Sequence, residues 1–527
     1  MRRMWLLWAS ASASPDCLSF QPEKFVPSTV ARLEHVPADT TLQLDSVPSC
    51  NRRSQAVKTD ICRVALRIET SSRSGISLEL WLPTQWSGRL LATGNGGVDG
   101  CIKYEDLAYG VAHGFAVVGT NNGHNGTSGV DFLNNPDVIA DFSYRALHTG
   151  TAAAKTLVEA FYGTAPNRSY YIGCSLGGRM GISAADKFPG DYDGIVAGAP
   201  AVDFNNLYGS RANFFTVTGG PGSRDYITVD TWTGLIHGEV LRQCDSIDGV
   251  ADGIIEIPSK CRFDPSTLLC PTDQTSGCLN AAQVKQVQQI YAPYTYPDGT
   301  LIFPRMNPGN ELGAVQGLLA GKPFSPSVEW FRYAILNNPD WDPATYSVDD
   351  VRLAEQLNPS DIETYPQALP EFKQRGGKIL AYHGGQDQQI TSFNTERFWD
   401  GMASTDAGLA DYFRFFRISG MNHCSGGPGA WVLGQGGNAA GPFDPEHNVL
   451  AALVDWVEKG IPPETMTGTK FVGDDPSKGI DFQRAHCRYP LEQTYVGDAA
   501  GDSGWAAGEW AVAAGGDGKL LGSWECR

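Results

Sequence analysis

The fold can be inferred from one stretch of the chain, Arg168-Ser169-Tyr170-Tyr171-Ile172-Gly173-Cys174-Ser175-Leu176-Gly177. Its last five residues have the Gly-x-Ser-x-Gly form of a nucleophile elbow, a sharp strand-to-helix turn that exposes a serine oxygen. The pattern also recurs by chance in a Gly-rich chain, so its context must decide. The residues before it are rich in β-formers, and residues 179–187 have the pattern of a helix. Strand, elbow and helix therefore occur in the required order.

Strand-like and helix-like segments alternate on both sides of the elbow, which predicts an α/β fold with a mostly parallel, covered sheet. Further strands are predicted at Val64–Ile68, Ser77–Leu82, Arg89–Thr93, Phe115–Gly119, Ile195–Gly198, Lys378–His383 and Tyr412–Ile418, and helices at Asp141–Phe161 and Asn448–Lys459.

A large insertion interrupts this pattern. Residues 206–371 are rich in aromatic residues, Pro and short turns, and the simplest interpretation is a lid domain above the carboxyl ends of the strands. The predicted architecture is therefore an α/β-hydrolase catalytic domain from residues 17–205 and 372–527, with the lid between them. The chain after Pro490 is Gly-, Ala- and Trp-rich and is interpreted as an extended wrap.

Charge and hydropathy exclude two classes of partner. The net charge of −18 argues against nucleic acid, because phosphate binding requires clustered Lys and Arg. No apolar stretch approaches the roughly 20 residues of a membrane span. We therefore expect neither a nucleic-acid nor a membrane partner.

Several features favour secretion. Twelve cysteines suit an oxidising compartment, and residues 1–16 resemble a signal peptide with a short apolar region and cleavage near Ala13. Glycosylation sequons begin at Asn125 and Asn167. The alternative is a cytosolic protein with many free thiols.

A serine nucleophile requires a base and an orienting carboxylate, which in α/β-hydrolases follow it in the order acid, then histidine. Among five downstream histidines, His423 directly follows a predicted strand. His383 precedes the best acid, so a structural role is expected for it, and His237, His447 and His486 are weaker candidates. Asp387 follows a strand and a Gly-Gly turn, whereas Asp400 and Asp411 are typical of solvated surface positions.

The oxyanion of an acyl-transfer reaction needs backbone donors. One is the N–H of Leu176, after the nucleophile, and the other is expected in the Gly-rich loop that contains Gly96 and Gly97. A purely structural turn is the alternative for that loop.

Cys174 precedes Ser175 and Cys424 follows His423, so a meeting of serine and histidine would bring the two sulfurs close enough to bridge. The alternative is that each is a buried free thiol or pairs elsewhere. With residues 92–97, 121–124, 173–179 and 421–424, this double adjacency resembles the tannase and feruloyl esterase family, and within it the fungal feruloyl esterases of type B. The resemblance extends from Cys17 to the last cysteine.

The resemblance implies that Ser175, Asp387 and His423 are the catalytic triad. It also implies six disulfides, which are Cys174–Cys424, Cys17–Cys62, Cys50–Cys101, Cys244–Cys261, Cys270–Cys278 and Cys487–Cys526.

The loop from Cys244 to Ile254 packs three carboxylates and two glycines, a composition that suits calcium. An EF-hand is excluded because Ile247 and Gly249 would fall on ligand positions. The resemblance implies a structural Ca²⁺ in the lid, held by Asp245, Asp248 and Asp252 through side chains and by Val250 and Ile254 through backbone oxygens. Solvated Asp-Gly turns are the alternative.

The sequence thus predicts a secreted serine carboxylic-ester hydrolase that works through an acyl-enzyme. By resemblance, its substrate is a small aromatic ester or a feruloylated oligosaccharide, from which it releases ferulate, p-coumarate or caffeate. The alternatives are a tannase acting on gallate esters, a hydrolase of terephthalate monoesters, or a non-catalytic carbohydrate-binding protein.

Overall fold

The computed structural model describes residues 16–274, 276–439, 441–495 and 524–527. The predicted signal peptide lies outside the described residues except for Asp16, as does most of the predicted wrap after Pro490. No helix within these ranges is both long enough and apolar enough to cross a lipid bilayer.

Among the described residues, nine strands form one central sheet, and eight others pair in short two-stranded sheets. In chain order the strands are Thr29–Val36 (β1), Thr40–Gln43 (β2), Ser54–Val57 (β3), Ile61–Glu69 (β4), Gly75–Pro83 (β5), Arg89–Thr93 (β6), Ala116–Thr120 (β7), Arg168–Cys174 (β8), Gly194–Gly198 (β9), Tyr294–Thr295 (β10), Leu301–Phe303 (β11), Lys378–Gly384 (β12), Phe413–Ile418 (β13), Thr465–Phe471 (β14), Ile480–Cys487 (β15), Gln493–Tyr495 (β16) and Trp524–Cys526 (β17).

The central sheet has the order β1-β4-β5-β7-β6-β8-β9-β12-β13. Five neighbouring pairs, from β7 to β13, are parallel, and the three pairs on the β1 side are antiparallel. The α/β fold and the mostly parallel sheet are therefore confirmed. The edge strand β1 was not predicted, because only Val36 among its residues is buried and its pattern carries little hydrophobic signal.

Helices cover both faces of the sheet or lie in the segment between β9 and β12. They are Tyr104–Ala112 (α1), Pro136–Ala140 (α2), Ala146–Tyr162 (α3), Leu176–Lys187 (α4), Phe204–Thr218 (α5), His237–Cys244 (α6), Ala281–Ile290 (α7), Glu311–Ala314 (α8), Ser325–Glu329 (α9), Val348–Leu357 (α10), Pro370–Gln374 (α11), Ser392–Thr405 (α12) and Val449–Lys459 (α13). The start of the helix predicted at Asp141 is a π-helical turn, Asp141–Arg145, which leads into α3.

The segment between β9 and β12 contains α5 to α11 and the hairpin β10–β11. Part of it packs around its own hydrophobic cluster, which includes Trp232, Val240, Val287 and Leu319. A separate core of this kind is what a lid domain requires, and the exact boundaries at 206 and 371 stay a prediction.

The first turn of α4 packs against the loop after β6 with backbone touching backbone. A Cβ on Gly94 would lie 2.7 Å from the Cα of Gly177, and a Cβ on Gly177 would lie 3.0 Å from the carbonyl oxygen of Asn95. Any side chain at these positions would push the helix and the loop apart. Gly177 of the motif is therefore required by close approach.

All twelve cysteines form disulfides, in the six pairs that the family resemblance implied. Cys174–Cys424 joins residues 250 positions apart. It fixes the loop after β13 to the end of β8.

Candidate active site

A cavity of about 360 Å³ opens at the carboxyl ends of β6 and β8. Ser175 and His423 both line it, as do Gly96 and Gly97 of the loop after β6. The predicted nucleophile, base and oxyanion loop therefore share one cavity.

Ser175 occupies the strained position of the elbow. Its φ of 65° and ψ of −123° are rare for a residue with a side chain, and its N–H donates to the carbonyl of Gly198 at 2.9 Å. Helix α4 begins at Leu176. The N–H groups of its first turn have no intrahelical acceptors, so they form a positive end beside Ser175.

Asp387 follows β12 and its carboxylate is fully enclosed, with 1 % of the residue exposed. Oδ1 accepts hydrogen bonds from the N–H groups of Gln389 at 2.7 Å and Ile390 at 2.8 Å. Oδ2 accepts from Nδ1 of His423 at 2.7 Å. Because Nδ1 of His423 donates to a carboxylate, Nε2 of the neutral ring is left as an acceptor, as a general base requires.

The neighbours of Asp387 keep its carboxyl group ionised. Burial by itself would raise the pKa of the Asp387 carboxyl, but the neighbouring charge of His423 and hydrogen bonds from His383 and His423 outweigh it. The pKa of Asp387 therefore lies well below its ordinary range, and the group is ionised throughout the pH range in which an ester hydrolase works.

His423 is held from two sides. Cys424 is tied to Cys174, and the backbone N–H of His423 donates to Oε1 of Gln388 at 2.9 Å. Gln388 was not singled out in the sequence, although its place directly after Asp387 was a usable signal.

The oxyanion loop has two glycines with different surroundings. The N–H of Gly96 points towards Oδ1 of Asp99 at 3.4 Å, whereas Gly97 has a φ of +54° and its carbonyl accepts from the hydroxyl of Tyr208 at 3.1 Å. Tyr208 lies on α5, far from the loop in sequence, and no local pattern pointed to it. Its bond fixes the peptide plane after Gly97.

His383, for which a structural role was expected, is a second imidazole on the same carboxylate. It is fully buried, and Nε2 lies 2.9 Å from the carbonyl of Ile390 and 3.1 Å from Oδ2 of Asp387. A carbonyl only accepts, so Nε2 carries the proton and shares it with Asp387. Nδ1 lies 2.8 Å from the hydroxyl of Thr395, which can donate to it.

The predicted calcium loop is a tight turn whose carboxylates bond its own backbone. Asp245 accepts from the N–H of Gly253 at 3.1 Å, Asp248 from Val250 at 3.1 Å and Asp252 from Ile254 at 3.0 Å. Asp252 also accepts from Arg484 at 2.6 Å.

One oxygen of this loop is suited to a cation. Oδ2 of Asp248 is buried without a hydrogen-bond partner among the described residues, and burial, with the charge of Asp252 nearby, raises the pKa of Asp248 to about 6. Anywhere in the described ranges, no three His, Cys, Asp or Glu side chains are grouped so as to hold a metal. The fit to calcium therefore rests on the partnerless oxygen of Asp248, and the described side chains do not form a full carboxylate cage.

The sheet, the elbow and the buried acid–histidine pair define the class of this protein, which is an esterase of the α/β-hydrolase fold. The family model for tannase and feruloyl esterase matches residues 62–322 and 334–506. The chain belongs to the tannase and feruloyl esterase family.

Three relatives illustrate the similarity. A probable feruloyl esterase B-2 of Aspergillus flavus is 53% identical over 90% of this chain and 93% of its own length. The crystal structure of feruloyl esterase B from Aspergillus oryzae has a TM-score of 0.90 at 40% identity, covering 97% of this chain and 99% of that one. Tannin acyl hydrolase from Aspergillus niger has a TM-score of 0.70 at 21% identity, over 98% and 93%, and shares the fold.

The Cys174–Cys424 disulfide is expected to control catalysis as well as stability. Replacing both cysteines by Ala should free the loop that carries His423 and lower kcat at least about tenfold, since displacements near 1 Å are that costly. Rates are measured well below the unfolding temperature, because losing a disulfide costs about 2–5 kcal/mol of stability. The control removes Cys270–Cys278 in the same way. Equal activity in the two double variants would contradict this role.

His383 is expected to tune the acid–base pair through Asp387. In His383→Leu one donor to Oδ2 is lost, so the carboxylate stabilises protonated His423 more strongly. The acid limb of the kcat/KM profile should then move up by about half a pH unit, which corresponds to a weak neutral hydrogen bond. His383→Gln retains an N–H donor and should largely restore the profile. A lower rate with an unmoved acid limb would mean that the ring only fills space.

Proposed function

We propose that this chain is a secreted feruloyl esterase that releases ferulate, p-coumarate or caffeate from esters with plant cell-wall sugars. The observation that carries the proposal is that His423, which donates to the buried Asp387, shares one cavity with Ser175 on its elbow. The names of the relatives at 53% and 40% identity support the choice of acyl group.

The first half of the reaction transfers the acyl group to the serine. Nε2 of His423 takes the proton of Ser175 Oγ while that oxygen attacks the ester carbonyl carbon. The negative charge that develops on the carbonyl oxygen faces the N–H of Leu176 and the loop of Gly96 and Gly97, where the N–H of Gly96 would have to turn away from Asp99 to donate. When the intermediate collapses, the C–O bond to the alcohol breaks, and His423 gives its proton to the departing alkoxide.

The second half repeats these steps with water. His423 takes a proton from water, the hydroxide attacks the acyl carbon, and Ser175 leaves with the proton returned by His423. Asp387 remains ionised and stabilises the imidazolium in both halves, so it accepts no proton itself.

The acyl specificity and the nucleophile are tested together. Wild type should hydrolyse methyl ferulate and methyl caffeate faster than methyl gallate, and Ser175→Ala should lose at least about 10³-fold in kcat, because the nucleophile is absent. Ser404→Ala, which alters an exposed serine on α12, is the matched control. A preference for gallate would replace the feruloyl assignment with the tannase alternative, and an active Ser175→Ala would overturn the mechanism.

We also propose a structural Ca²⁺ in the loop of residues 245–254. Asp245, Asp248 and Asp252 would supply side-chain oxygens, and Val250 and Ile254 backbone oxygens. The partnerless Oδ2 of Asp248 supports the proposal, because a buried carboxylate oxygen without a donor is costly unless a cation neutralises it. The ion would stiffen the lid and take no part in the chemistry.

Chelation tests the ion. Removing Ca²⁺ with EGTA should lower Tm by several degrees and readdition should restore it, because an ion that binds only the folded state stabilises it. In Asp248→Asn the response to Ca²⁺ should be lost or displaced to higher concentration, whereas Asp340→Asn on the lid surface should respond like wild type. If wild type has the same Tm in EGTA and in Ca²⁺, the proposed calcium site is contradicted.

Secretion and glycosylation complete the proposal. The pairing of all twelve cysteines supports an oxidising compartment. Asn125 and Asn167 are both exposed, as acceptors of a glycan must be.

A further inference from the structure

We infer that Lys103 and Asp106 form a subsite for the alcohol half of the ester, built for a polyhydroxylated group such as a sugar ring. The inference deepens the proposed function, on which it rests, by assigning one wall of the catalytic cavity to one half of the substrate. It makes Lys103 a specificity-determining residue.

The cavity wall beyond the oxyanion loop is polar. Asp99, Lys103, Glu105 and Asp106 line it, together with Gln435 and Asn438 of the segment that packs against Asp106. Apart from His423, Tyr382 is the one aromatic residue among the lining residues of this described cavity, and it is 1 % exposed. The wall therefore offers hydrogen bonds and no open ring face, which suits a sugar and not a hydroxycinnamoyl ring.

The apolar side chains near the site lie in another direction. Gln389 borders the catalytic cavity and also a small neighbouring cavity lined by Leu207, Phe214, Phe303, Met306 and Leu318. An ester bound with its carbonyl at Ser175 has its two halves on opposite sides of that carbon. If the acyl ring is directed to this apolar side, the alcohol is directed away from it, and we place the alcohol at Lys103.

Lys103 has free hydrogen-bonding capacity. Across the described ranges, its ammonium makes no ion pair or hydrogen bond, although the neighbouring Glu105 is held by both Nε and Nη2 of Arg52 at 2.7 and 2.6 Å. Nζ lies 3.5 Å from the position that a Cβ on Gly96 would take, so it is beside the oxyanion loop. We therefore expect the Lys103 ammonium to meet an alcohol group that extends from the ester carbonyl past this loop.

Asp106 supplies the complementary acceptor. Its Oδ1 accepts from the N–H of Gly437 at 2.8 Å, which fixes the carboxylate at the cavity wall and leaves Oδ2 for a ligand. Sugar hydroxyls both donate and accept, so vicinal hydroxyls can accept from the Lys103 ammonium and donate to Asp106. A methoxy group, as in methyl ferulate, has no hydroxyl to make these bonds.

The experiment compares two esters with the same acyl group, methyl ferulate and a feruloyl ester of arabinose. The readout is the ratio of kcat/KM for the sugar ester to kcat/KM for the methyl ester. In Lys103→Met this ratio should fall about tenfold, mainly through KM for the sugar ester, since a hydrogen bond to a charged group is lost. Lys103→Arg keeps the donors and should recover most of the ratio. Lys58→Met, which removes a charge from the exposed surface, should leave the ratio at its wild-type value.

Each outcome has a distinct meaning. If the ratio is unchanged in Lys103→Met, the subsite is overturned. If kcat/KM falls equally on both esters, Lys103 is assigned instead to stabilisation of the oxyanion. Failure of wild type to hydrolyse methyl ferulate would instead remove the proposed function itself.

Discussion

The disulfide between Cys174 and Cys424 is the constraint on which the site depends. Its two sulfurs join the residue before Ser175 to the residue after His423, across 250 positions of chain. Closing a loop of that length without a covalent link costs conformational entropy, and the intervening residues include the whole lid. Because the disulfide joins the two loops directly, Ser175 and His423 stay close together although the large insertion between β9 and β12 separates them in the chain.

A buried charge completes this arrangement. The Asp387 carboxylate is buried away from water and instead accepts four hydrogen bonds, from Gln389, Ile390, His383 and His423. These bonds keep the carboxyl ionised and set the direction in which His423 points. The backbone donors belong to the turn that follows Asp387, so the acid is fixed by the residues that lead from it towards α12.

Local patterns were enough to predict the elements that carry chemistry and not the contacts that support them. The elbow, Asp387 and His423 each follow a strand with a strong hydrophobic signal, so their positions could be read from the sequence. Tyr208 and His383 act through partners chosen by tertiary packing, and β1 is an edge strand with one buried residue. The positions of Cys174 and Cys424 beside Ser175 and His423 indicated one disulfide, whereas the other five pairings came from family resemblance, because spacing alone leaves the connectivity open.

The first lid helix, α5, belongs to the catalytic scaffold as much as to the lid. The hydroxyl of Tyr208 donates to the carbonyl of Gly97 in the oxyanion loop, and Nε of Arg211, one turn further on, donates to the carbonyl of Gln389 in the acid loop at 2.9 Å. One helix thus holds both the loop of Gly96 and Gly97, for which we propose the oxyanion role, and the loop of Asp387, which accepts from His423. Any displacement of α5 would therefore change the geometry of both loops at once, and small changes of geometry at a catalytic site are costly.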